Sequence, residues 1–158
     1  MDDISAKLHT AITEVLEEAF ESMAFISTEE CSKEDAAAIQ QEMMAVNLLI
    51  TEPVLFEMRL DVAKELLYQV AETMYTMDRD ELEDKFINDL LAELLNTLAG
   101  RFMTEILPDE KSFSLSLPEL ATDESNAPAL KFYYSAEECP ISIEINSADM
   151  DTLFATLQ

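Results

Sequence analysis

A chain of 158 residues with 49% hydrophobic content is long enough and apolar enough to bury a core, and is not a disordered polyelectrolyte. Its 34 Asp and Glu against 9 Lys and Arg leave a formal net charge of −25, which argues against nucleic acid and anionic membranes as partners, since both are held by clustered basic residues. There is no apolar run of about 18 residues to span a bilayer. Cys31 and Cys139 stand far apart in dissimilar contexts, which points to a reduced, cytoplasmic protein with incidental thiols.

The chain opens with "MDDISAKLHT", acidic and amphipathic, without the basic and apolar regions of a secretory signal. Apolar residues then recur at helical spacing (Ile4, Leu8, Ile12, Val15, Leu16, Phe20, Met23), which predicts an amphipathic helix through "AFI". The lone His9 on it offers no metal cluster, and no metal site is expected in this chain. "STEECSKEDAAAIQQE" reads as an acidic connector with room for one short helix.

"MMAVNLLIT" and "VLFEMRL" read as two strands joined by a turn at Thr51, Glu52 and Pro53. A helix follows in "DVAKELLYQVAETMYTM", with Val62, Leu66, Leu67, Val70 and Met74 on one side. Asp78, with Glu81 three residues later, is the expected N-cap and return partner of the next helix, "RDELEDKFINDLLAELLNTLAGRFMTEIL", which stops before Pro108.

The last third changes period. "SFSLSL" alternates Phe113, Leu115 and Leu117 with serines, and "LKFYYS" and "ISIEIN" alternate likewise, with Ile141, Ile143 and Ile145 inside and Ser142, Glu144 and Asn146 outside. "PELATDESNAPA" is an acidic loop between the first two strands, and "SADMDTLFATL" a short helix capped by Ser147. Without repeats or a long linker, residues 1–158 read as one domain. The expected architecture is α+β, a mostly antiparallel sheet with long helices packed on one face. Met43, Met44, Met58, Met74 and Met77 fall on core elements as gap fillers, and "KFYYS" is a sheet face rather than a stacking platform.

The candidate site lies in "DLLAELLNTLAGRF". Gly100 is the chain's only glycine, and it sits one turn after Asn96, another poor helix former. A glycine inside a helix costs about 1 kcal/mol relative to alanine. With Asp89 at zero on a helical wheel, Glu93 falls near about +40°, Asn96 near −20° and Gly100 near +20°. The apolar residues Ile87, Leu90, Leu91, Leu94, Leu95, Leu98 and Phe102 occupy roughly the opposite side. Three readings of the polar line stand side by side. It is a solvated face, although such a face favours Glu, Lys, Gln or Ala. Gly100 is a C-cap, with "RFMTEIL" leading out. Or the missing side chain lets another backbone come close while Glu93 and Asn96 reach over it. At i and i+3 these two side chains can enter one small pocket. A carboxamide can aim a water molecule at a phosphorus whose loose transition state needs positioning more than a strong base, and a carboxylate can pair with a lysine or a metal-bound water. The chain has no phosphate-cradling glycine loop or Arg cluster, so metal and cations would come from the other molecule.

At these residues the sequence resembles the CheC/CheX/FliY chemotaxis phosphatases. "DLLAELLNTLAG" fits the pattern Asp/Ser-x-x-x-Glu-x-x-Asn-x-x-x-Gly/Ala, with Asp89, Glu93, Asn96 and Gly100 in its four positions. The first helix, ending "AFESMAF", and the order of elements extend the likeness over most of the chain, and a single copy of the pattern suggests the CheX type. The resemblance implies a CheX-like fold and hydrolysis of the phospho-aspartate of a CheY-like receiver protein. Glu93 would then pair with the receiver's lysine, Asn96 would orient the attacking water, and Asp89 and Gly100 would form the docking face. It implies Mg²⁺ on the receiver rather than on this chain, and a homodimer joined through sheet edges. The alternative is a non-catalytic module that binds a response regulator or a flagellar switch protein through the same helix. One departure is the first hairpin, where the family usually has glycines and this chain has Thr51, Glu52 and Pro53.

Overall fold

The computed structural model describes residues 3–107, 111–121 and 129–157. The first helical pattern forms α1, Asp3–Ala24, with Ile4, Leu8, Ile12, Val15, Leu16 and Phe20 buried along one side. The acidic connector holds a two-residue strand β1, Glu29–Glu30, and α2, Lys33–Ala38, whose Ser32 hydroxyl accepts from the Asp35 N–H. The hairpin follows as β2, Met43–Glu52, and β3, Phe56–Ala63, around a cis Glu52–Pro53 peptide. Next come α3, Lys64–Tyr75, and α4, Asp84–Ile106. The chain closes with β4, Ser114–Leu115, β5, Glu119–Ala121, β6, Ala129–Ala136, β7, Cys139–Asn146, and α5, Met150–Leu157.

All strand pairs are antiparallel, in the order β1-β6-β7-β3-β2-β4, with β5 also on β2. Register explains the core. Val46, Leu60, Ile143 and Phe132 stand in one row across four strands, and Leu48, Met58, Ile145 and Leu130 in the next. Because side chains alternate, these rows share one face. That face and the apolar sides of α1, α3 and α4 enclose a single buried cluster. The α+β architecture with long helices on one face is therefore the one the sequence predicts.

α1 and α4 run antiparallel. Lys7, near the start of α1, donates to the carbonyl of Ile106 at the end of α4 (3.3 Å) and to that of Leu157 (3.1 Å). This arrangement makes α1 the neighbour of the α4 face that carries the candidate motif.

Several expectations are corrected. Val62 belongs to β3, paired with Ile141, rather than to the following helix; the strand simply runs on to Ala63 before turning. Asp78 and Glu81 do form a reciprocal cap, but on a separate 3-10 turn, Arg79–Glu81. Leu82 then adopts an extended conformation and is buried, so α4 starts afresh at Asp84. In "SFSLSL" the strand is confined to Ser114–Leu115, with the Ser116 N–H donating to the Leu49 carbonyl (2.8 Å), and Leu117 is exposed. Part of the acidic loop forms β5 beside β2, while its residues 122–128 lie outside the described residues. Asp149, not Ser147, accepts from the Thr152 N–H at the start of α5 (3.1 Å), and Ser147 instead accepts from the Asp149 N–H. Met58 is fully buried, but Met43 and Met74 are exposed.

The outer face of the sheet also departs from a simple solvated surface. Glu144 and Asn146 point away from the core, as alternation requires, yet both are buried. Arg59 Nε donates to Asp61 at 2.8 Å, Lys131 Nζ lies 3.6 Å from Glu144, and Asn146 Nδ2 donates to Glu57 at 3.1 Å. The long side chains cover one another, so no helix is needed to desolvate them.

Candidate active site

α4 is a continuous helix through both poor helix formers. It buries Ile87, Leu90, Leu91, Leu94, Leu95, Leu98 and Phe102, and Asp89, Glu93 and Asn96 are exposed on the other side. Gly100 lies well inside the helix, which ends at Ile106 with Leu107 as its C-cap. It takes no positive φ, so the C-cap reading fails.

The space around Gly100 is informative. A Cβ built on its backbone meets nothing within 4 Å, so no neighbour among the described residues excludes alanine there. The helix could gain the propensity of alanine without a clash. The Thr104 hydroxyl donates to the Gly100 carbonyl (2.9 Å).

Asn96 and Gly100 open onto a groove of ≈ 520 Å³ between α4 and α1, lined also by Thr97, Arg101, Thr104 and Glu105 from α4 and by Val15 and Glu18 from α1. Glu93 sits one turn before Thr97, whose hydroxyl reaches its Oε1 at 3.4 Å, so a weak contact leaves the carboxylate largely free to pair elsewhere. The Asn96 side chain makes no hydrogen bond among the described residues, which leaves its carboxamide available to a ligand or water. Partial burial, and then the nearby carboxylates of Glu14 and Glu18, push the Glu105 carboxyl above its ordinary range. The far end of the groove is thus a place where like charges meet. Among the described residues no group of three His, Cys, Asp or Glu could hold a metal ion. Among the described residues, no helix is long and apolar enough to cross a membrane.

The structure thus brings the four motif residues to one face, as the sequence spacing requires, and adds a second wall that sequence reasoning missed. Val15 and Glu18 lie on the margin of the α1 apolar stripe, which is where a helix–helix groove forms, but only the antiparallel packing shows that they meet Asn96. Arg101 was likewise passed over.

The family model for the chemotaxis phosphatase CheX matches residues 45–142, from β2 into β7 and including all of α4. This chain belongs to the CheX family. Solved structures agree in fold. A chemotaxis protein CheX from Vibrio vulnificus aligns with TM-score 0.70 at 12% identity, over 89% of this chain and 98% of that one. The CheX of a CheX–CheY–BeF₃–Mg²⁺ complex from Borrelia burgdorferi aligns with TM-score 0.63 at 16% identity, over 87% and 95%. FliY from Thermotoga maritima aligns with TM-score 0.63 at 15% identity, over 100% and 98%. A search of the curated proteins finds no match. As a member of the CheX family, the chain is a phosphatase.

Proposed function

We propose that this chain, acting as a single domain over residues 1–158, hydrolyses the phospho-aspartate of a CheY-like receiver in chemotaxis signalling, with α4 as the working surface. Family membership supports the reaction class, and the CheX–CheY complex of Borrelia burgdorferi supports the choice of partner. The observation that carries the assignment to α4 is the free space at Gly100: the helix forgoes a side chain that its own neighbours would accept. A closely approaching partner backbone accounts for that choice.

In the proposed complex Glu93 pairs with a lysine of the receiver and fixes the docking register. The Asn96 carboxamide oxygen accepts a hydrogen bond from water and aims its lone pair at phosphorus. The water oxygen forms the new P–O bond as the acyl P–O bond breaks. The products are phosphate and the free aspartate carboxylate, and the water's proton leaves with phosphate or solvent. The Mg²⁺ that neutralises the developing charge belongs to the receiver. Asp89 and Gly100 complete the contact surface. A homodimer joined through sheet edges, and a cytoplasmic location, belong to the same reading; sedimentation of the purified chain tests the dimer.

The test is phosphate release from a CheY-type receiver phosphorylated by acetyl phosphate in Mg²⁺. Replacing Asn96 by Ala is expected to lower turnover by about 100-fold, the scale of losing one positioned polar group. Replacing Glu93 by Ala is expected to act mainly on KM. Both side chains are exposed, so neither change should lower Tm, and the better helix propensity of alanine should raise it slightly for Asn96→Ala. If both variants match the parent rate, the site is elsewhere. Binding of the phosphorylated receiver without faster loss of phosphate would instead mark a docking module.

A further inference from the structure

Cations are scarce here, and most of those described are engaged within the fold. Lys7 holds the carbonyls of Ile106 and Leu157, Arg59 pairs with Asp61, Lys64 with Glu42, Arg79 with Glu65 and Glu72, and Lys131 with Glu144. The side chains of Lys33, Lys85, Lys111 and Arg101 make no ion pair or hydrogen bond among the described residues, and of these four Arg101, which is exposed, is the one that lines the groove with Asn96 and Gly100. Glu18 and Glu105 stand on that groove, and it pairs with neither.

We propose that Arg101 is a positioning residue for the anionic partner, its guanidinium gripping a phosphoryl or carboxylate oxygen at the rim of the receiver's phosphorylated site. This deepens the phosphatase reading above and rests on it. An aspartyl phosphate is a dianion, and this chain presents it with a surface of net charge −25. Docking therefore needs a local cation next to the working face. Arginine suits the task because its planar fork binds such oxygens in a bidentate fashion and stays charged. Arg101 lies five residues beyond Asn96, about 7.5 Å along the helix axis and about 140° around it, so the two side chains reach the groove they both line from different sides of the helix. With no side-chain partner among the described residues, it needs no rearrangement to be used.

The experiment compares the parent with R101Q, R101E and R101K, on the acetyl-phosphate-loaded CheY-type receiver in Mg²⁺. R101Q is expected to raise KM about tenfold, R101E more, with kcat changed far less, and R101K to recover most of the loss. R101Q is also expected to shift the salt dependence of kcat/KM towards acceleration by salt, because an attractive contribution has been removed. Its Tm should equal the parent's. An unchanged KM and salt dependence in R101Q, with an active parent, overturns the role of Arg101 and leaves the phosphatase reading intact. A parent that fails to accelerate phosphate loss overturns the phosphatase reading. The same variants titrated against the BeF₃-loaded receiver then decide the inference: a parent that binds more tightly than R101Q supports it as a docking contact. Equal binding, or none by either, overturns it.

Discussion

Size substitutions at Gly100 separate stability from function. The helix is regular there, φ is not positive, and an added Cβ meets nothing within 4 Å. Alanine therefore gains helix propensity without strain, and the expected stabilisation is about 1 kcal/mol. For 158 residues the unfolding entropy near 60 °C is about 0.33 kcal/mol/K, so Tm should rise by about 3 °C. Leucine is nearly as good a helix former, and stability should rise almost as far. Activity should follow the other order. Alanine, which the family pattern admits, keeps most of the turnover. Leucine holds the partner off the helix, and a displacement of about 1 Å at the reacting atoms is enough to lose about 100-fold. Calorimetry and phosphate release on the same two variants read both effects. Parent-like turnover in G100L would refute the close approach. A lower Tm in G100A would refute the claim that the space is empty.

Two predictions concern the fold itself. Burial pushes the Tyr134 phenol up to about 12, with Thr13 bonded to it at 2.8 Å, while an unfolded tyrosine ionises near 10. The folded state holds the proton longer, so this contribution is complete below about pH 10 and is lost between about 10 and 12, about 2–3 kcal/mol in all. Urea unfolding at pH 9 to 11.5 should show a flatter decline in Y134F, which costs about 1 kcal/mol at pH 7; parallel declines contradict the assignment. Arg59 stands among Asp61, Glu144 and Glu57, and R59M leaves the buried Glu144 with less compensation. The loss on urea unfolding should be about 3 kcal/mol at pH 7, the scale of removing one partner from a buried ion pair, and a loss under about 1 kcal/mol would contradict the assignment.

How much was readable in advance depends on whether the signal is local. The α4 face was legible because a 3.6-residue period and two low-propensity residues are properties of one helix. β6 and β7 were legible from strict alternation. The failures are tertiary. Val62 fits a helical stripe and a strand row equally well, and pairing with Ile141 decided the matter. Glu144 and Asn146 read as exposed because a sequence shows which face a residue takes, not that Arg59, Lys131 and Glu57 close over it. β1 and β4 are two residues each, too short for any period, and exist only because β6 and β2 offer edges. The groove wall from α1 depends on helices distant in sequence meeting antiparallel.

The acidity bears on both fold and docking, and salt separates the two. Burial, and the carboxylates of Glu14 and Glu18, push the Glu105 carboxyl up. A carboxyl raised in the folded state opposes folding at neutral pH, and the opposition fades as it is protonated. Added salt screens the same repulsion, so the α1–α4 packing should tighten with ionic strength. Docking carries two contributions of opposite sign. The general surface repels an anionic partner and is relieved by salt, whereas Arg101 attracts it and is weakened by salt. The parent's salt profile reads their sum, and the difference between parent and R101Q isolates the local attraction. A surface so acidic can therefore serve an anionic substrate only where the fold leaves a cation available, and among the described residues the groove that Asn96 lines holds such a residue in Arg101.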